Sequence, residues 1–518
     1  MKALDLAIIF GYLAGIVLLG AWFARRQETT RDYFLGDRTV PWWAIAASIV
    51  ATETSTITFI SVPGIAYAAG GNFQFLQLVF GYMLGRIVIS LLFIPSYFRG
   101  ELLTVYQLLD RRFGGRIKML AASLFVVMRN IADGVRLLLT AIVLAAVYTS
   151  FQPGTNAETL IVASIILIGL VMVVFTYFGG MEAVIWIEVV QLGIYILGAL
   201  AAAIVIINST EGGLSAALAA GGQYGKFSLF DFSFNLTKTY TFWAGLLGGC
   251  FLTMSTHGTD QYLVQRYLCT DRPRRAAAAL LSSGAIVLAQ FIGFLFIGVL
   301  LFAFYHPYTD AGYATLAQGT ATLPAGEAFR ATGGDRIFPD FITKHLPTGL
   351  SGLVVAAIFA AAMSSSLNSI AATAVNDLYK PFKPHRSDKH YFKVSHWLTL
   401  LWGFVQIAVA LLMRNRNRSA LDVALSVAAL INGPVLGVFL VGTFLRRVSE
   451  PPALIGMAAS IALMLYIYLQ TKIAWTWYSL IGSIITFTVA WAASFAFPPA
   501  SEERQNELAP GGAVRELL

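Results

Sequence analysis

Three short polar stretches lie inside apolar runs of this chain, and their residue types suit one kind of chemistry. "ATETST", residues 51–56, places Thr52, Glu53, Thr54, Ser55 and Thr56 within a run from Pro41 to Tyr67. "GGCFLTMSTHGTDQ", residues 248–261, brings a glycine pair together with Ser255, Thr256, His257 and Gly258. "IFAAAMSSSLNS", residues 358–369, is the third. Hydroxyl and backbone carbonyl oxygens are the ligands that a hard monovalent cation prefers. On a helix the carbonyl of Ala361 and the hydroxyls of Ser364 and Ser365 share one face. Carbonyls freed at Ala51 and Thr54 would complete a five-oxygen cage for Na⁺. The plainer alternatives are hydroxyls bonding back to their own helices and small residues that let two helices approach closely.

The elements that carry these stretches are set by composition. The chain has 518 residues, 57% hydrophobic and 12% charged, with a mean hydropathy of +0.72. So little charge cannot cover a soluble surface of this size. Apolar runs of about 20 residues recur from end to end, the mark of helices that cross a bilayer. The pattern predicts an all-α polytopic membrane protein of about 13 transmembrane helices. They fall at 4–24, 41–68, 72–98, 119–148, 157–178, 182–208, 239–262, 276–305, 346–374, 392–413, 419–445, 451–471 and 474–497. The gaps 209–238 and 306–345 read as extramembrane loops with a short helix each. The first run, Leu4 to Ala24, lacks a basic leader and a small-residue cleavage site, and reads as a retained helix.

The net charge of +8 does not point to nucleic acid, because Lys and Arg are scattered over many loops. They set topology. Arg25, Arg26, Arg31 and Arg38 begin the richer set of alternate loops, which continues through Arg99–Lys118, Arg266–Arg275, Lys380–Lys393 and Arg446–Arg447. The positive-inside rule places that set in the cytoplasm, the N-terminus outside and the C-terminal tail inside. The reading is an integral protein of the plasma (inner) membrane. Cys250 and Cys269 are not expected to form a disulfide. Six histidines are scattered, with only His257 at membrane depth, so no catalytic cluster marks a membrane enzyme. The tail after Pro498 is too short for a signalling module, which argues against a sensor.

With that orientation, spans two to six and spans seven to eleven have opposite topologies. This is the pattern of a 5+5 inverted repeat, in which the first helix of each half is interrupted near the midplane and lines a ligand cavity. The division is then 1–40 for an extra N-terminal helix and loop, 41–208 for repeat one, and 209–238 for the extracellular loop. Residues 239–447 form repeat two, 448–497 two further helices, and 498–518 a cytoplasmic tail. "ATETST" and "GGCFLTMSTHGTDQ" fall at matching places in the two halves.

Several motifs together resemble the sodium/solute symporter family: "RDYFLGDRTVPWWAIAAS" (31–48), "ATETSTITFISVPGIAY" (51–67), "FGGMEAVIWIEVVQ" (178–191), "GTDQYLVQRYL" (258–268), and "AAAMSSSLNS" followed by "NDLYKPF". The resemblance runs from about residue 5 to 450 and implies a leucine-transporter-like fold and sodium-coupled solute import by alternating access. Carried over residue by residue, it implies a sodium site at the carbonyls of Ala51, Thr54 and Ala361 and the hydroxyls of Ser364 and Ser365. Glu188 holds the place of an acid that serves a second cation in some members. The stretch between "AAAM" and "NDLY" is shorter than the family pattern, which favours one sodium.

By the same resemblance, solute sits beside the break of the first core helix under an aromatic gate. Ser55, Thr58, Phe73, Gln77 and Glu53 are implicated there, with Thr256 and His257 at the second break. Sugar, sugar acid, monocarboxylate and amino acid all remain open as solutes. The structural alternative for Glu53 is an ion pair with Arg86, Arg129 or Arg136. Asp133 and Arg136, at i and i+3, can neutralise each other, and an Arg136 released from that pair can clamp a carboxylate. The rival coupling is a proton carried by Glu53 and Glu188. The expected partners are a small solute, Na⁺ and the lipid bilayer, with no nucleic acid and no obligate protein partner.

Overall fold

The computed structural model describes residues 3–24, 29–54, 56–151, 154–305, 334–363, 366–414 and 420–505. Every regular element among them is helical. Helix α1 (Ala3–Ala24) precedes a bent pair, α2 (Trp42–Glu53) and α3 (Thr56–Tyr67). Then come α4 (Leu76–Leu92), α5 (Gly115–Phe151) and α6 (Ala157–Ser209). A π-helical turn at Ala244–Gly248 leads into α7 (Gly249–Gly258), which is followed by α8 (Gln261–Leu268) and α9 (Pro273–Tyr305). The ninth predicted span is divided into α10 (Leu350–Met363) and α11 (Leu367–Thr373). Helices α12 (Asp388–Met413), α13 (Ala420–Phe444), α14 (Glu450–Gln470) and α15 (Tyr478–Ala493) complete the bundle. Short helices at Gly213–Gln223 and Gly334–His345 occupy the two long gaps.

Among the described residues, seven helices are long and apolar enough to cross a membrane, or eight with α2 and α3 taken as one bent span. Three of the predicted spans outside that set differ for definite reasons. Helix α5 is long enough but carries Arg129, Asp133 and Arg136 in its middle. The spans at 239–262 and 346–374 are segmented. The spans at 157–178 and 182–208 run together as α6, with non-helical backbone at Gly180 (φ 59°, ψ −167°) separating the two helices where the sequence places the turn between spans. That backbone is open to glycine and strained for other residues.

Glycine also lets helices meet closely. A Cβ at Gly81 of α4 would lie 2.1 Å from the Gly245 carbonyl oxygen, and one at Gly85 would lie 2.7 Å from the Cys250 carbonyl oxygen. This small-xxx-small face seats α4 directly on α7. Against α3, a Cβ at Gly298 of α9 would lie 2.1 Å from the Pro63 carbonyl oxygen. Each interrupted helix thus has one neighbour in close backbone contact, α4 on α7 and α9 on α3. Cys250 and Cys269 are buried free thiols.

Candidate functional site

Helix α2 bends by 58° into the segment that follows. Thr54 ends it with a non-helical ψ of 57°. The last carbonyls of a helix have no intrahelical donor, and Ala51 stands in that final turn. The Thr54 hydroxyl donates to the Val50 carbonyl (2.6 Å) and to Gln290 Oε1 on α9 (2.8 Å). The Thr58 hydroxyl reaches back across the break to the Glu53 carbonyl (2.8 Å). Ser55 lies outside the described residues.

Glu53 is the centre of a buried charge cluster. Its carboxylate accepts from Arg86 Nη2 of α4 and from His257 Nε2 of α7. Arg86 is fully buried, and Gly284 of α9 makes room for it, since a Cβ there would lie 2.8 Å from Arg86 Cδ. His257 Nδ1 pairs with the Thr256 hydroxyl at 3.1 Å. Thr256 also donates to the Leu252 carbonyl (3.0 Å), the back-bonding that hydroxyls in membrane helices commonly make. The two breaks that the sequence singles out therefore touch through Glu53 and His257. Of the three arginines offered to Glu53, Arg86 is the one it meets.

Phe73 and Gln77 sit at the start of α4, under the loop before α7. The Phe73 N–H donates to the Ser228 carbonyl (3.1 Å), and its ring meets Phe227 edge-on at 5.5 Å. Gln77 is buried and engaged on both ends. Its Nε2 donates to the Gln74 and Tyr240 carbonyls (3.1 and 3.4 Å), and its Oε1 accepts from the Asp231 N–H (2.9 Å). The amide expected to face solute is thus given to the loop. In that loop the Lys238 ammonium and Ser233 hold the Asp231 carboxyl down at about 2.

In the ninth span, Ala361 lies in α10 two residues before the helix ends at Met363. Ser364 and Ser365 lie outside the described residues. The next residue, Ser366, donates from both its backbone N–H and its hydroxyl to Asp133 Oδ2 of α5. Asp133 faces Arg136 at 3.7 Å, the i, i+3 pair read from the sequence.

Glu188, offered to a second cation, is held by Arg266. Both side chains are fully buried, with Arg266 Nη2 2.6 Å from Glu188 Oε1 and Arg266 Nε 3.3 Å from Oε2. Ser48 and Thr52 of α2 add hydroxyl donors to the same carboxylate. Arg266, counted by sequence among cytoplasmic loop charges, is instead an interior residue of α8. Arg129, offered by the sequence reading to Glu53, pairs instead with Asp260, a partner that reading did not name, and lies 4.5 Å from the Tyr262 ring centroid. A charge inside an apolar span is itself the signal, since it needs a partner there.

Paired helix breaks, neutral oxygens at one of them and buried charges linking them define a secondary active transporter with a leucine-transporter-like fold. The comparisons agree. The family model described as the sodium:solute symporter family matches residues 33–460. The chain belongs to the sodium:solute symporter family. It is 31% identical over 499 residues to the sodium/sialic acid symporter NanT of Aliivibrio fischeri, covering 95% of this chain and 93% of the relative. The structure of a Na⁺-coupled sialic acid symporter, substrate-bound and outward-open, superposes with a TM-score of 0.83 at 29% identity, covering 97% of this chain and 99% of that one. Mhp1, a nucleobase-cation-symport-1 family transporter in a closed conformation, shares the fold (TM-score 0.52, 16% identity, 91% and 97% covered). This protein is a sodium-coupled symporter of a small solute and not an enzyme. Proton coupling through Glu53 and Glu188 is not favoured, since arginines neutralise both carboxylates.

Proposed function

We propose that this symporter imports a small organic acid of the sialic acid class together with one sodium ion. Arg136 carries this reading. Among the described cations at membrane depth, Arg86, Arg129 and Arg266 are tightly ion-paired. Arg136 is engaged loosely, 3.7 Å from Asp133 Oδ1 and 3.5 Å from the Tyr262 hydroxyl. A guanidinium with slack beside a helix break is suited to clamp a carboxylate. The relatives whose names give sialic acid support the same solute class. Ser55, Thr58, Glu53, Phe73, Gln77, Thr256 and His257 would surround the rest of the solute, with Gln77 and Phe73 acting through the loop they hold.

Sodium would bind the carbonyls of Ala51, Thr54 and Ala361 and the hydroxyls of Ser364 and Ser365, bracing α2 against the ninth span. One sodium fits a Glu188 whose charge Arg266 has taken. The N-terminus is read as outside and the tail as cytoplasmic, and residues 41–208 and 239–447 as the inverted repeats. Outside sodium stabilises the outward-facing pocket, solute follows, and rocking of the interrupted helices exposes both inside.

The test is uptake of labelled sialic acid into proteoliposomes under a sodium gradient, against choline. Arg136→Gln is expected to lower uptake at least about tenfold, the scale of a lost charge-assisted pair, while thermal stabilisation specific to sodium is still reached at saturating NaCl. Sodium-driven uptake of neutral sugars with acids excluded, unchanged in Arg136→Gln, would sink the reading.

A further inference from the structure

The carboxylate of Asp133 stands between two groups that the proposed transport cycle uses separately. Its Oδ2 accepts the Ser366 N–H (3.2 Å) and the Ser366 hydroxyl. Its Oδ1 makes no hydrogen bond among the described residues and faces Arg136 Nη1 at 3.7 Å. Ser366 is buried at the start of α11, directly after the serine pair assigned to sodium. Arg129, one turn before Asp133, is taken by Asp260 and the Tyr262 ring, so it does not draw Asp133 away.

We infer that Asp133 is the positioning residue through which the sodium site sets the affinity of the solute's carboxylate clamp, an inference that rests on the roles of Ser364, Ser365 and Arg136 proposed above. A carboxylate is rigid and planar, so anchoring one oxygen fixes the other. Sodium bound at residues 361–365 steadies Ser366, and the two Ser366 donors then hold Oδ2. In that position Oδ1 stays too far from Arg136 for a hydrogen bond, and the guanidinium keeps donors for solute. When Ser366 no longer holds Oδ2, Asp133 turns to Arg136 and occupies it. The linkage is reciprocal, so a change at Arg136 is felt as a change in sodium affinity.

That reciprocity gives a test needing no solute. The thermal midpoint of the purified protein is titrated with NaCl against choline chloride, and the half-saturating sodium concentration is read. Asp133→Asn and the milder Ser366→Ala are expected to raise it about threefold or more, the scale of direct coupling between neighbours. Arg136→Gln is expected to shift it about threefold in the native background and by less than half that factor in Asp133→Asn. A purely structural Asp133 lowers the midpoint in choline and leaves the half-saturation unmoved. That result in Asp133→Asn and Ser366→Ala overturns the inference, as do equal Arg136→Gln shifts in both backgrounds. If Asp133→Asn does not fold, Ser366→Ala supplies the second background. Ser365→Ala separates the two levels. Native sodium affinity in Ser365→Ala removes the ion site and this inference with it, whereas its loss beside a native Asp133→Asn removes the inference alone.

Discussion

A single side chain shows how much context decides at the residue scale. Lys226 lies in the loop read as extramembrane. Its ammonium donates to the Tyr67 and Ala68 carbonyls (3.1 and 2.6 Å) and lies 4.3 Å from the Phe302 ring centroid. Burial pushes its pKa down to about 7. Below that pH the lysine is charged whether folded or not, and the full cost of burying the charge is present. As pH rises from about 7 toward the ordinary lysine value of about 10.4, the unfolded chain holds the extra proton, so stability rises across that window. Thermal midpoints between pH 6 and 9 should climb in the native protein, and Lys226→Met should flatten the climb. Nothing in the sequence around "GKFSLF" marks this lysine as buried. Glu53 was more legible, because a carboxylate in an apolar run must find a cation. The choice of Arg86 over Arg129 and Arg136 came from packing, since α4 lies against α7 while α5 turns Arg129 toward Asp260.

At the scale of elements, the spans were legible from hydropathy, and the breaks from polar residues inside them. Where hydropathy differed from structure, the element had a second task. Helix α5 carries charges because it faces Asp260 and Ser366, and the start of the seventh span loosens into a π turn where Gly245 and Gly248 meet backbone. The α4–α7 contact allows a direct prediction. A side chain at Gly85 must displace the Cys250 carbonyl and the Thr253 side chain. Gly85→Val is therefore expected to cost about 1–3 kcal/mol by overpacking, read as a lowered thermal midpoint in detergent. Gly193→Val, where a Cβ meets nothing within 4 Å, is the control and should change little. Equal effects at both sites would mean that the contact does not hold the helices.

Across the molecule, the tight buried ion pairs form two groups. Glu53, Arg86 and His257 tie α2, α4 and α7 to one another, with Gly284 of α9 against Arg86. Glu188 with Arg266, and Arg129 with Asp260, join α6 and α5 to the region around α8. Breaking the second group should loosen the molecule as a whole. Glu188→Gln leaves a fully buried guanidinium uncompensated and is expected to cost about 3–5 kcal/mol. Adding Arg266→Gln should recover part of that loss in a double-mutant cycle, and additive losses would show that the two residues do not act as a pair. The sequence by itself determined the membrane class, the all-helical fold, the positions of both breaks and the family, because hydropathy and local polar interruptions are properties of consecutive residues. Only the tertiary structure decided which charges meet: Glu53 with Arg86 and His257, Glu188 with Arg266, Asp133 with Ser366. Those partners lie 33 to 233 residues apart, and a buried charge fixes only that it needs a partner, while helix packing selects which one.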